Sequence, residues 1–174
     1  MGVVRRGRSQ VRSLTAAGLL VLSVLGGCAV MPGAYGPGPL RAGDASSAVR
    51  ARMGAPTEQI RRADGTERWV YARGPLGRHT WMVDVGTDGR VTQLYQALEP
   101  ARFATVARGT TEAEVRSLLG PPSEQRRLAI EQRRLLSWRY ETFDCLLFTV
   151  TLNRIGQVID AGYIPDPMCD VDTD

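Results

Sequence analysis

From residue 44 onward the apolar positions switch between two periods. Val49 and Met53, like Val115, Leu118 and Leu119, follow the i, i+3, i+4 spacing of one buried helical face. Asp44-Ala45-Ser46-Ser47 and Thr110-Thr111-Glu112-Ala113-Glu114 precede them with N-cap side chains and first-turn acids, which suit a helix N-terminus. Gly54 and Gly120 then serve as C′ caps, and Pro56 and Pro122 stop each helix from continuing. After each helix the pattern changes to alternation, which predicts four short strands. In the first half these are 57–62, 67–73, 79–86 and 90–96, with hairpin turns at Asp64-Gly65 and Asp88-Gly89; in the second they are 123–130, 134–141, 145–152 and 157–163. Residues 99–107 predict a further short helix joining the halves.

The two halves are one pattern written twice. Gly43, Val49, Arg50, Gly54, Pro56, Glu58, Gln59 and Arg61 match Gly109, Val115, Arg116, Gly120, Pro122, Glu124, Gln125 and Arg127 at a constant shift of 66. The shift is 69 between Trp69-x-Tyr71 and Trp138-x-Tyr140, and 67 between Gly89-x-Val91 and Gly156-x-Val158. Shifts that change only between elements are what loop insertions produce. The expected fold class is therefore α+β, two tandem units of a helix plus a four-stranded antiparallel sheet, over 44–98 and 99–164.

Alternation puts Glu67, Trp69, Tyr71 and Arg73 on one side of their strand, with Trp81, Val83 and Val85 aligned on the next; Leu136, Trp138 and Tyr140, then Leu146, Phe148, Val150 and Leu152, do the same in the second unit. Two readings stand open here. The aromatics are core packed under the helices, or some of them, Trp81 with Tyr95 or Tyr163, lie on a free sheet face that binds a protein partner. The arginine clusters Arg61-Arg62, Arg126-Arg127 and Arg133-Arg134 fall on hairpins, either as solvated edges that discourage strand addition or as a docking patch for an acidic partner.

Charge and cysteine content narrow the function. Of 22 basic residues, all arginine, four (Arg5, Arg6, Arg8, Arg12) precede an apolar run from Leu14 to Leu25; the remaining 18 face 18 acids. A neutral body has no net pull on nucleic acid. The basic start, short apolar run and Gly26-Gly27 before Cys28 have the layout of an export signal and resemble a bacterial lipobox, in which the cysteine carries lipid. The expectation is a signal peptide over 1–27, a lipidated Cys28 and a Pro/Gly-rich tether over 28–43. Lipidation would hold the protein at the membrane through its acyl chains, and the resemblance to bacterial lipoproteins implies that Ala rather than Asp at 29 favours the outer membrane, with the body facing the periplasm. The remaining pair, Cys145 and Cys169, then sets the expectation of a disulfide in an oxidising compartment; two reduced, buried thiols are the alternative, which spacing does not decide. The acids Asp160, Asp166, Asp170, Asp172 and Asp174 crowd the end of the chain, and 165–174 reads as an acidic, solubilising tail.

The second unit, from Arg108-Gly109-Thr110 through Leu119-Gly120-Pro121-Pro122 and Trp138-Arg139-Tyr140 to Gly156-Gln157-Val158, resembles the small outer-membrane lipoproteins of the SmpA/OmlA type. That family includes the accessory lipoprotein of the β-barrel assembly machinery. A similar helix-pair and four-stranded unit occurs twice in the β-lactamase inhibitory proteins. The first unit departs from the pattern: Asp44 stands in place of the threonine, and its first helix would have to come from the tether. The resemblance implies protein binding in outer-membrane protein assembly or envelope maintenance; its tandem form implies, as the alternative, a periplasmic enzyme inhibitor.

Catalysis, metals and cofactors find little in the sequence. His79 is the only histidine, there is no Cys-x-x-Cys, and no nucleophile elbow, phosphate-binding glycine loop or Ca²⁺ loop is present. The expected protein is not an enzyme, takes no cofactor, metal, nucleic acid or small-molecule substrate, and works through a membrane anchor and a protein partner.

Overall fold

The computed structural model describes residues 1–2, 35–129 and 132–172. The expected signal peptide, Cys28 and the first part of the expected tether lie outside the described residues. The described body belongs to one compact unit, Pro32–Asp174.

Two helix-and-sheet units follow one another. The first holds α1 (Ser46–Met53) and the strands β1 (Glu58–Arg61), β2 (Glu67–Arg73), β3 (His79–Val85) and β4 (Val91–Gln96); the second holds α2 (Pro100–Phe103), α3 (Glu112–Leu119), β5 (Glu124–Leu128), β6 (Arg133–Arg139), β7 (Leu146–Leu152) and β8 (Val158–Pro165). Each sheet is a four-stranded antiparallel meander, in the orders β1-β2-β3-β4 and β5-β6-β7-β8. The fold is α+β, and the repeat holds down to single hydrogen bonds. Gly43 N–H donates to Val91 O and Gly109 N–H to Val158 O; Arg50 reaches Gln59 as Arg116 reaches Gln125. Both sheets carry a bulge at matching places, Asp84/Val85 and Thr151/Leu152.

One face of each sheet is covered by its own helix. Val49 of α1 packs with Trp69, Tyr71, Val83, Val85 and Val91, with Trp81 half-buried at the margin. Val115 and Leu119 of α3 pack with Leu136, Trp138, Phe148, Val150, Leu152 and Val158. Burial of these side chains is the main favourable term, at about 1.5–3 kcal/mol each. The aromatics on this face are therefore mostly core.

The opposite faces differ. Val70, Met82 and Ala97 on the first sheet are fully buried, and Ile60 and Tyr95 pack against them. They lie under the C-terminal end of α3: a Cβ on Gly120 would stand 2.8 Å from Thr80 Cγ2 and 3.1 Å from Val70 Cγ1, and Arg68 donates to Ser117 O at 2.7 Å. The second unit thus closes the far face of the first sheet. In the second sheet the corresponding cross-strand row is Ser137, Thr149 and Gly162.

Four sequence expectations change. The tether is folded from Tyr35 on, because its apolar side chains find places in the body: Pro37 is buried, Leu40 packs on the first core, and Tyr35 stacks on His79 at 5.2 Å. Leu40 corresponds by the shift of 66 to Val106, which packs on the second core, so irregular chain stands where the second unit has α2. The helix expected at 99–107 is one turn, yet it delivers the buried Phe103. Asp44 does not cap α1: Ala45 is the N-cap and makes no side-chain bond, while Asp44 accepts the Arg41 N–H at 2.9 Å. The acidic tail is structured at its start, because Asp166 is drawn into an ion pair with Arg139 and Pro167–Asp172 forms a 3-10 turn.

Candidate protein-binding surface

The second unit ends, beyond β6 and before β7, in a loop over residues 140–145 that meets the end of β8 and the 3-10 turn. Cys145 and Cys169 are joined by a disulfide with Cα atoms 6.2 Å apart, and Asp166 N–H donates to Cys145 O at 2.7 Å. Closing that loop restricts the unfolded chain and contributes about 3 kcal/mol in the chain-entropy model.

Beneath the disulfide sits a buried charge pair. Arg139 Nε and Nη2 donate to Asp166 Oδ2 and Oδ1 at 2.9 and 3.1 Å, the bidentate fork that suits a guanidinium and a carboxylate. Burial pushes the Asp166 carboxyl up, but the Arg139 hydrogen bonds, the Met168 N–H and the charges of Arg139 and Arg78 outweigh it and hold it below its ordinary value. Arg78, Arg139, Tyr140, Asp166 and the two cysteines line a cavity of about 50 Å³, far below the several hundred Å³ that a small-molecule site needs.

This end presents exposed apolar side chains among the exposed acids Glu141 and Asp144. Phe143 is fully exposed, two residues before the disulfide, and Met168, next to Cys169, is 54% exposed. Leu76 of the first unit joins them: its carbonyl accepts the Ser123 hydroxyl at 2.8 Å, and that hydroxyl oxygen accepts the Arg139 N–H at 2.9 Å. Leu76 and Cys145 both hold left-handed backbone, φ 56° and φ 48°, which costs a non-glycine residue about 1–3 kcal/mol. A large aromatic left in water on a clamped loop buries nothing in the free protein; it is the kind of side chain that anchors interfaces.

The aromatics singled out from the sequence fall elsewhere. Trp81 is half-buried against the first core, and its indole N–H, itself buried, has no hydrogen-bond partner among the described residues. Tyr95 lies under two guanidinium groups, Arg102 at 3.7 Å and Arg68 at 5.7 Å from its ring centroid. Both side chains are half-buried. Tyr163 is divided: its ring packs on Phe103, Tyr140 and Phe148, and 45% of it stays exposed. Burial and the neighbouring Tyr140 raise its phenol pKa. Phe143 gave no periodic signal, since it lies in the loop; its only mark in the sequence is its place two residues before Cys145.

His79 gives Nε2 to Glu141 at 3.2 Å and its ring to Tyr35. Among the described residues no cluster of three or more His, Cys, Asp or Glu could hold a metal ion, and no helix is long and apolar enough to cross a membrane.

No family model matches the chain, and no curated protein does. Among solved structures it is similar to an extracellular protein containing an SCP domain from Bacillus anthracis, at 13% identity and TM-score 0.28 over 94% of this chain and 50% of that one. The chain thus spans about half the length of that protein. A DUF4309 family protein from Bacillus subtilis gives 12% identity and TM-score 0.29 over 70% and 78% of the two chains. A candidate beta-lactamase inhibitor protein from Streptococcus mutans gives 9% identity and TM-score 0.32 over 74% and 86%. At these TM-scores the likenesses carry no functional argument.

Proposed function

We propose that this is a lipid-anchored periplasmic lipoprotein of the outer membrane that acts by binding protein, in outer-membrane protein assembly or envelope maintenance. The observation that carries the binding role is the fully exposed Phe143 on a loop clamped by Cys145–Cys169, with the exposed Met168 next to Cys169 in the chain. A rigid presentation spares the entropy of ordering a loop at the moment of association. The anchor is supported by the basic start, the apolar run and Leu25-Gly26-Gly27-Cys28, and the place in barrel assembly by the resemblance of Arg108 to Val158 to the SmpA/OmlA lipoproteins.

The test is a photoreactive amino acid placed at Phe143 and, as control, at the exposed Thr87 in the distal hairpin of the first unit. The expected result is a discrete crosslink to a barrel-assembly component from position 143 alone, reduced in the Met168→Ala background. Equal crosslinking from both positions would remove Phe143 as the contact, and a stoichiometric periplasmic enzyme at 143 would replace the assembly role with inhibition. Palmitate labelling that survives in Cys28→Ser would refute the anchor.

A further inference from the structure

At the end of the second sheet opposite the disulfide, the adjoining ends of β5 and β6 and the β7–β8 turn carry a second surface of different chemistry. We propose that its arginine-lined groove docks an extended acidic segment of a protein partner. Such docking is one form of the protein binding proposed above and rests on that reading.

Gln132, Arg133, Asn153, Arg154, Ile155 and Ile159 line a groove of about 620 Å³. Two neighbouring depressions of about 530 Å³ each share Arg154 with it and bring in Arg116, Arg127 and Arg134. Glu112 engages Arg116 at 3.0 Å and Arg134, and Glu124 engages Arg126 at 3.3 Å. Arg127 and Arg154 have no carboxylate partner among the described residues, so the cluster keeps an excess of positive charge.

The fold maintains this cluster against its own repulsion. Arg127 is the direct cross-strand partner of Arg134, and like charges in that relation are destabilising. Arg154 is fixed in place by its turn, because Asn153 Oδ1 accepts both the Ile155 and Gln157 N–H groups, at 3.1 and 2.9 Å. Beside it Ile155 is 71% exposed. Guanidinium forks bind carboxylates in pairs. An extended segment with acids at alternate positions presents them about 7 Å apart on one side, leaving an apolar residue to meet Ile155.

Concavity favours such a segment over a lipid surface, which calls for a convex or flat basic face.

The test is calorimetric titration of the full chain with the peptide Asp-Thr-Asp-Val-Asp-Thr-Asp, and with vesicles containing phosphatidylglycerol, before and after Arg127→Glu/Arg154→Glu. The expected result is peptide binding that weakens about tenfold or more in the double variant and with rising salt, while the melting temperature of the double variant does not fall, because the carboxylate introduced at position 127 would face Arg134, and binding by an Arg41→Glu control is unchanged. Absence of peptide binding by the folded protein, or binding indifferent to the double variant, would overturn the proposal. Vesicle binding that depends on both arginines, without peptide binding, would overturn it in favour of a lipid ligand. Crosslinking at Phe143 reads the other end of the molecule, so failure there leaves this result separately interpretable.

Discussion

Gly54 and Gly120 close equivalent helices with nearly the same backbone, φ 73° and φ 79°. Only Gly120 is also a packing residue. An added Cβ meets nothing within 4 Å at Gly54, whereas at Gly120 it would strike Thr80 and Val70 of the other unit. The repeat supplied a glycine for conformational reasons in both places, and the way the units stack gave one of them a second role. The same contrast runs through the sheets. In the register of the two sheets Val70 and Met82 correspond by a shift of 67 to Ser137 and Thr149, apolar in the first sheet, where α3 packs on them, and polar though buried in the second. The helices differ too: Thr111 and Glu114 form a reciprocal capping box on α3, and α1 has no capping side chain.

The largest expected effect tests whether α2 is essential to its unit. Phe103→Ala removes a buried ring that stacks on Phe148 at 4.3 Å and should cost about 3–5 kcal/mol. Pro37→Ala, at the corresponding place in irregular chain, should cost far less, and urea melts of both variants measure the difference. Next is the buried pair: Asp166→Asn leaves the Arg139 charge only the longer 3.8 Å pairing with Glu124 and should cost about 2–4 kcal/mol. The same carboxyl has a depressed pKa in the folded protein, so its contribution is complete above the ordinary carboxylate range near pH 4 and is lost as pH falls below it. Glu112, which burial pushes up but Arg134 and Arg116 hold down, follows the same direction. Acid melts of Asp166→Asn should therefore show a shallower loss of stability than those of the unaltered chain.

Gly120→Ala should cost about 2–5 kcal/mol, from strain in a backbone region that only glycine populates freely plus overpacking, against about 1–3 for Gly54→Ala, from strain alone. Equal losses would mean that the units do not stack through this turn. The smallest effect concerns the caps. Thr111→Ala should cost about 1 kcal/mol and Ala45→Ser should gain up to about as much, so the paired variants would bring α1 and α3 toward equal helix stability in thermal melts.

The twofold repeat, the order of elements and the alternation within each strand were all legible along the chain, because they depend on local periods and on turn residues such as Asp88-Gly89. The match of Val70 to Ser137 could not be read there: the Trp-x-Tyr pattern aligns Val70 with Arg139, and only the strand register, with Glu58 opposite Val70 and Glu124 opposite Ser137, shows that Tyr71 is the counterpart of Trp138. Which apolar face meets which neighbour was not legible either, since alternation names two sides of a strand without saying what covers either. That is why Tyr95 entered as a candidate for a partner and proves to be held between Arg68 and Arg102. Tyr35 to Gly43 looked like tether because proline and glycine forbid regular structure; they do not forbid packing, and Leu40 packs.

Phe143 marks the remaining division. Sequence by itself determined the two-unit α+β plan, the glycine stops of both helices and the strand turns, which are short-range consequences of backbone conformation and hydrophobic period. Tertiary structure decided that Cys145 meets Cys169, that Gly120 abuts Thr80, and that Phe143 faces water while Trp138 is buried, because each depends on residues far apart in the chain competing for the same space.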